Sequence, residues 1–264
     1  MTSNTASGDL ELTAETPYLW TARRPGHRHR LICFPHAGGG AGTFADWAKL
    51  LPAELELAAV QLPGRQDRIA EEPFTEVAPL VRVLCQALRP VLDGSVAFFG
   101  HSGGATLAFE VARALRQRGL AGPTRLFLSS EPAPGARRVR LLHDLPDEQF
   151  RAEVLRMGGI DEEIAAEDDV MDALLPALRA DFQLWERHQV GDEAPLDIPI
   201  TVLGGRSDDR TPAELLLQWR PFTTAELNCQ LYDGGHFYFM DQLDEVIGLI
   251  SRTLLDQPQA EGSR

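Results

Sequence analysis

Short apolar runs alternate along the chain with segments in which apolar residues recur every three to four positions. The runs at residues 30–34, 57–62, 95–99, 124–129, 198–203 and 228–232 predict buried strands, with a further candidate at 18–22. Between them, Phe44, Trp47, Leu50 and Leu51 mark one face of a helix, and Leu107, Val111 and Leu115 mark another that Gly119 terminates. Leu243, Val246, Ile247, Ile250 and Leu254 form a last stripe near the end. Strands that alternate with helices predict an α/β fold, with a mostly parallel sheet covered by helices on both faces.

The alternation breaks once. About sixty residues separate the strands ending near 129 and beginning near 198, more than a single crossover helix needs. Phe150, Val154, Leu155 and Met157 predict one helix there, and Leu174, Leu178, Phe182 and Trp185 another. An insertion over about 136–194, at the carboxyl ends of the strands, is expected to act as a helical lid. The expected organisation is a flexible segment 1–16, one domain over 17–256 and a flexible tail 257–264.

Composition narrows the function classes. A net charge of −14 argues against nucleic acid, whose phosphates require clustered Lys and Arg. The first sixteen residues have neither the basic start nor the apolar stretch of a secretory signal, and no run reaches membrane-spanning length. A cytoplasmic protein with no membrane partner is therefore expected. Cys33, Cys85 and Cys229 lie in apolar runs without metal-ligand spacing and read as reduced core residues; neither metal nor cofactor is expected.

The chemistry centres on Gly100-His101-Ser102-Gly103-Gly104. An apolar strand precedes it and an amphipathic helix follows. This resembles the strand-turn-helix elbow of the α/β-hydrolase fold, in which small neighbours let a tight turn lift a nucleophilic serine clear of the sheet. A serine hydroxyl needs a base to take its proton. In that fold the triad runs in the order Ser, acid, His, and His236 alone among the seven histidines lies between the last apolar run and the last helix. His101 is expected to point into packing beside the sheet, and His27, His29, His143 and His188 to sit on the surface. For the acid, Asp208 and Asp209 both follow the strand at 198–203. Asp208 is preferred because it is nearer the strand end, with Asp209 capping the next helix and Asp233 a third candidate. Two backbone N–H groups should hold the oxyanion: Gly103, which follows the nucleophile, and Ala37, in the glycine-rich loop Phe34-Pro35-His36-Ala37-Gly38-Gly39-Gly40.

Taken together these segments resemble the type II thioesterases, stand-alone editing enzymes that accompany polyketide and non-ribosomal peptide synthases. The resemblance rests on Cys33-Phe34-Pro35-His36-Ala37-Gly38-Gly39, Gln61-Leu62-Pro63-Gly64-Arg65, Gly100 to Gly104, Met157-Gly158-Gly159, Leu178-Arg179-Ala180-Asp181-Phe182, Gly204 to Asp208 and Gly234-Gly235-His236-Phe237. It implies hydrolysis of stalled acyl groups from the phosphopantetheine arm of an acyl or peptidyl carrier protein; the chain itself is expected to be a monomer. Members usually carry Met where this chain has Gly103 and often Tyr where it has His36, so Gly103 is expected to leave the pocket floor without a side chain. Carrier proteins are typically acidic, and a chain of charge −14 then needs a local basic patch. Arg137, Arg138 and Arg140 are the candidates. A carboxylesterase or lipase-like hydrolase would use the same triad, and a catalytically silent binding protein would share the fold.

Overall fold

Both faces of nearly every central strand are buried, which explains why the runs are continuously apolar rather than alternating. The computed structural model describes residues 10–136, 141–160, 162–189, 191 and 193–256. Among them one eight-stranded sheet runs in the order β1-β2-β4-β3-β5-β6-β7-β8. Its strands are β1 (Thr13–Thr16), β2 (Leu19–Ala22), β3 (His29–Phe34), β4 (Leu55–Val60), β5 (Ser95–His101), β6 (Arg125–Ser129), β7 (Ile200–Gly205) and β8 (Leu227–Tyr232). From β4 through β8 all neighbours are parallel, while β1 and β2 pair antiparallel at one edge.

The two-residue period of a strand divides the core. Ile32, Phe34, Phe98, Leu126, Leu128 and Val202 face one side, and Leu31, Cys33, Phe99, Phe127 and Leu203 the other. The first side is covered by α2 (Val77–Ala87) and α3 (Gly103–Gln117), through Leu80, Leu84, Leu107, Val111 and Leu115. Against the second pack α1 (Ala45–Leu50), through Trp47, and α9 (Leu243–Leu255), through Val246, Ile247, Ile250 and Leu254. The short helices α7 (Ala213–Leu216) and α8 (Tyr238–Asp241) follow β7 and β8.

Between β6 and β7 the expected insertion carries α4 (Asp147–Met157), α5 (Glu162–Ala166) and α6 (Asp168–Glu186). These helices bury a small apolar cluster of their own, made by Leu142, Phe150, Val154, Leu178 and Phe182. No helix among the described residues is long and apolar enough to cross a membrane.

Three expectations need correction. Residues 13–16 form β1, with Thr13 opposite Thr21 and Ala14 opposite Trp20. The sheet continues into a segment read as loose, because its polar alternation suits an edge strand. Cys229 is exposed rather than buried, since it lies on β8, the other edge. The strand expected at 57–62 is set two residues earlier, and the Gln61 side chain is used for loop contacts instead. The tail 257–264 lies outside the described residues.

Candidate active site

Ser102 sits at the end of β5 with φ 53° and ψ −131°, a strained backbone that an L-residue rarely adopts. The turn is tight enough to fix its neighbours. A Cβ at Gly100 would press on the Gly104 backbone, and one at Gly104 on the carbonyls of Phe34 and Pro35. The Ser102 N–H donates to the Ser129 carbonyl at 2.8 Å, which anchors the elbow to β6.

His236 arrives on the loop after β8. Its Nε2 lies 3.1 Å from Ser102 Oγ, and its Nδ1 lies 2.9 Å from Asp208 Oδ2. Loop and strand-end backbones touch, because a Cβ at Gly205 would meet the carbonyls of Gly234 and Gly235. Asp208 is buried, and its Oδ1 accepts the N–H groups of Arg210 at 3.0 Å and Thr211 at 3.2 Å. Burial pushes its carboxyl up. Hydrogen bonding and charge from His236, with the two N–H groups, outweigh that and leave it below the usual carboxylate range. Asp209 instead points outward to Arg156 at 3.1 Å, and does not cap α7, whose N-cap is Pro212. Asp233 is exposed beside Arg206.

Ala37, Ser102 and Gly103 line the same cavity. Gly103 is the first residue of α3, so its N–H has no acceptor within the helix. The loop bearing Ala37 is held from the lid: Asp181 of α6 accepts the Gly38 N–H at 2.7 Å and forms an ion pair with Arg65. Both charged side chains are almost fully buried, and Arg65 also donates to the Pro63 carbonyl at 2.6 Å. Leu178, one turn before Asp181, packs so closely on Gly38 that a Cβ there would clash. This arrangement was not read from the sequence. A signal existed, since Asp181 is an acid within the apolar stripe Leu178, Phe182, Trp185, and a charge there needs a buried partner.

The other histidines divide differently from expectation. His101 is buried as foreseen, its Nδ1 2.8 Å from Ser129 Oγ. His29 and His143, read as surface residues, are buried, because each has a partner: Ser95 Oγ at 2.8 Å and Glu186 Oε2 at 2.6 Å. His36 packs edge-on against Phe237, with ring centroids 4.9 Å apart. Burial, then the nearby charges of His236 and Arg65, push its imidazole down to about 3.

Two cavities of about 420 Å³ each meet at Ser102, and Ala37, Phe182 and His236 border both. One is walled mainly by apolar side chains from α4 to α6 and the loop after β8. The other carries charged groups from α4 and the loop after β7. The expected open floor at Gly103 is not open. A Cβ there would fall well inside van der Waals contact of the Trp185 indole, which fills that space. Arg137, Arg138 and Arg140 lie outside the described residues.

Residues 29–254 match the family of thioesterase domains. The chain belongs to that family. Relatives agree: the chain is 39% identical over 241 residues to thioesterase PikA5 of Streptomyces venezuelae, covering 90% of this chain and 86% of that protein. Among solved structures, the RedJ thioesterase of the prodiginine pathway in Streptomyces coelicolor superposes with a TM-score of 0.82 at 34% identity, covering 87% of this chain and 91% of RedJ. BorB, the type II thioesterase of the borrelidin cluster, gives 0.81 at 33%, covering 92% and 98%. The family and these neighbours make the protein a thioester hydrolase of the α/β-hydrolase fold.

Proposed function

We propose that this type II thioesterase releases stalled acyl or peptidyl groups from the phosphopantetheine arm of carrier proteins in polyketide or non-ribosomal peptide synthesis. The observation that carries the mechanism is the Asp208–His236–Ser102 hydrogen-bonded chain opening onto two cavities. The relatives from gramicidin S, prodiginine and borrelidin biosynthesis support the setting.

In this mechanism His236 Nε2 accepts the Ser102 hydroxyl proton as Oγ attacks the thioester carbonyl. Asp208 holds the Nδ1–H tautomer and balances the imidazolium charge. The oxyanion rests against the N–H groups of Ala37 and Gly103. Collapse breaks the C–S bond, and the sulfur leaves as a thiol with the proton from His236. A thiol of reference pKa about 8.5 is an undemanding leaving group. Water, deprotonated by His236, then attacks the acyl-enzyme; the second tetrahedral species returns Ser102 and frees the acid.

The test is a panel of acyl-carrier thioesters and matching oxygen esters, with the acyl-enzyme trapped for mass spectrometry. Faster turnover of carrier thioesters and an adduct on Ser102 are expected. Turnover retained by Ser102→Ala, or a preference for the oxygen esters, overturns the reading.

A further inference from the structure

A thioester on a pantetheine arm has two chemically different halves, and Ser102 has two chemically different cavities. The apolar one is walled by Met157, Ile160, Leu174, Leu178 and Phe237. An acyl chain gains there by leaving water. The second is walled by charged side chains of both signs, Glu131, Glu153, Glu186 and Asp209 against Arg156 and Arg210, with Trp185 beside the nucleophile. The arm suits this one, since the amides along its length need polar partners when they leave water.

Trp185 adds an independent observation. Its side chain is 5% exposed, and its indole nitrogen is buried without a hydrogen-bond partner. The ring lies where a side chain at position 103 would otherwise project, so its N–H stands next to the backbone of Gly103. A buried donor without an acceptor is destabilising, and a substrate carbonyl that reaches it removes that cost. The first amide of the arm is only two methylenes from the sulfur, close enough to meet a donor at the edge of the oxyanion site.

We propose that the thioester lies across Ser102 with its acyl chain in the apolar cavity and its arm in the charged one, where the Trp185 indole N–H donates to the arm's first amide carbonyl. This rests on the thioesterase reading above and adds a specificity determinant to it. Glycine at 103 is what leaves room for the indole.

The experiment compares N-acetylcysteamine thioesters, which keep that amide, with S-pentyl thioesters of the same acyl groups, which have the same length without it. The wild type should favour the amide-bearing thiol about tenfold in kcat/KM, as expected for one buried hydrogen bond. Trp185→Phe keeps an aromatic ring and should bring that ratio towards one. Leu174→Trp, in the apolar cavity, should lower turnover of long acyl chains relative to acetyl whichever thiol is used. A wild type that does not distinguish the two thiols overturns the proposal whether or not the variants fold. So does a Trp185→Phe protein that keeps the full ratio, or one whose acyl-length profile shifts instead. Failure of the wild type to hydrolyse either thioester class would count against the thioesterase reading itself.

Discussion

Replacing Asp181 separates holding the fold together from holding the loop that carries Ala37 in place. The carboxylate accepts the Gly38 N–H and pairs with Arg65, whose side chain is only 2% exposed. Asp181→Ala leaves a buried guanidinium without its counter-charge, which costs about 3–5 kcal/mol. The orphaned Gly38 N–H adds a further share of about 1–3 kcal/mol, not fully additive. Denaturant unfolding should therefore show a marked loss of midpoint. Arg65→Met combined with Asp181→Leu removes both charges, and such exchanges are often neutral or stabilising. That double variant should regain most of the midpoint. Its kcat should nevertheless stay down by about tenfold to a hundredfold, with KM for small thioesters little moved. The Ala37 N–H one residue away would no longer be fixed, and loss of a full oxyanion donor costs about 10²–10³. If the double variant recovers stability and kcat together, the pair has no positioning role.

Further outcomes follow from the same geometry. Ser102→Ala should remove at least about 10⁴-fold of kcat while leaving the unfolding midpoint near or above that of the wild type, since the side chain at φ 53° contributes function rather than packing. Asp208→Asn should lower kcat by about 10³–10⁴-fold through the wrong His236 tautomer, measured with a small-molecule thioester. His36 titrates near 3 when folded and near 6.5 when unfolded, so the unfolded chain takes up the proton first and stability falls as pH drops below 6.5. His36→Tyr should remove about 2 kcal/mol of the loss between pH 7.5 and pH 5, read by denaturant unfolding at both values. Gly103→Met should nearly abolish turnover unless paired with Trp185→Leu, because the indole occupies the added side chain's space; equal rates for the single and paired variants would refute the steric reading.

The sheet was legible because β3 to β7 are buried on both faces and so read as unbroken apolar runs. Thr13–Thr16 offered no such run, as an edge strand needs a partner more than a core. Ser102, Asp208 and His236 were legible because each follows the end of a strand, where spacing along the chain reports position in space. Contacts from the lid were not. Asp181 meets Arg65 across 116 positions, and Trp185 covers Gly103 from another element, so no local pattern announces either pairing. Partners likewise decide the burial of His29 and His143, each of which looks like an isolated polar residue in the sequence.

The Arg65–Asp181 pair also sets how the molecule can be recombined. A lid taken from another thioesterase and joined at the ends of β6 and β7 brings its own residue at position 181, but leaves Arg65 behind in the recipient. If the incoming helix lacks the acid, the graft strands a buried cation and frees the loop that carries Ala37. The smallest exchangeable unit is therefore the lid together with the Gln61–Arg65 turn, two stretches far apart in the chain that behave as one part.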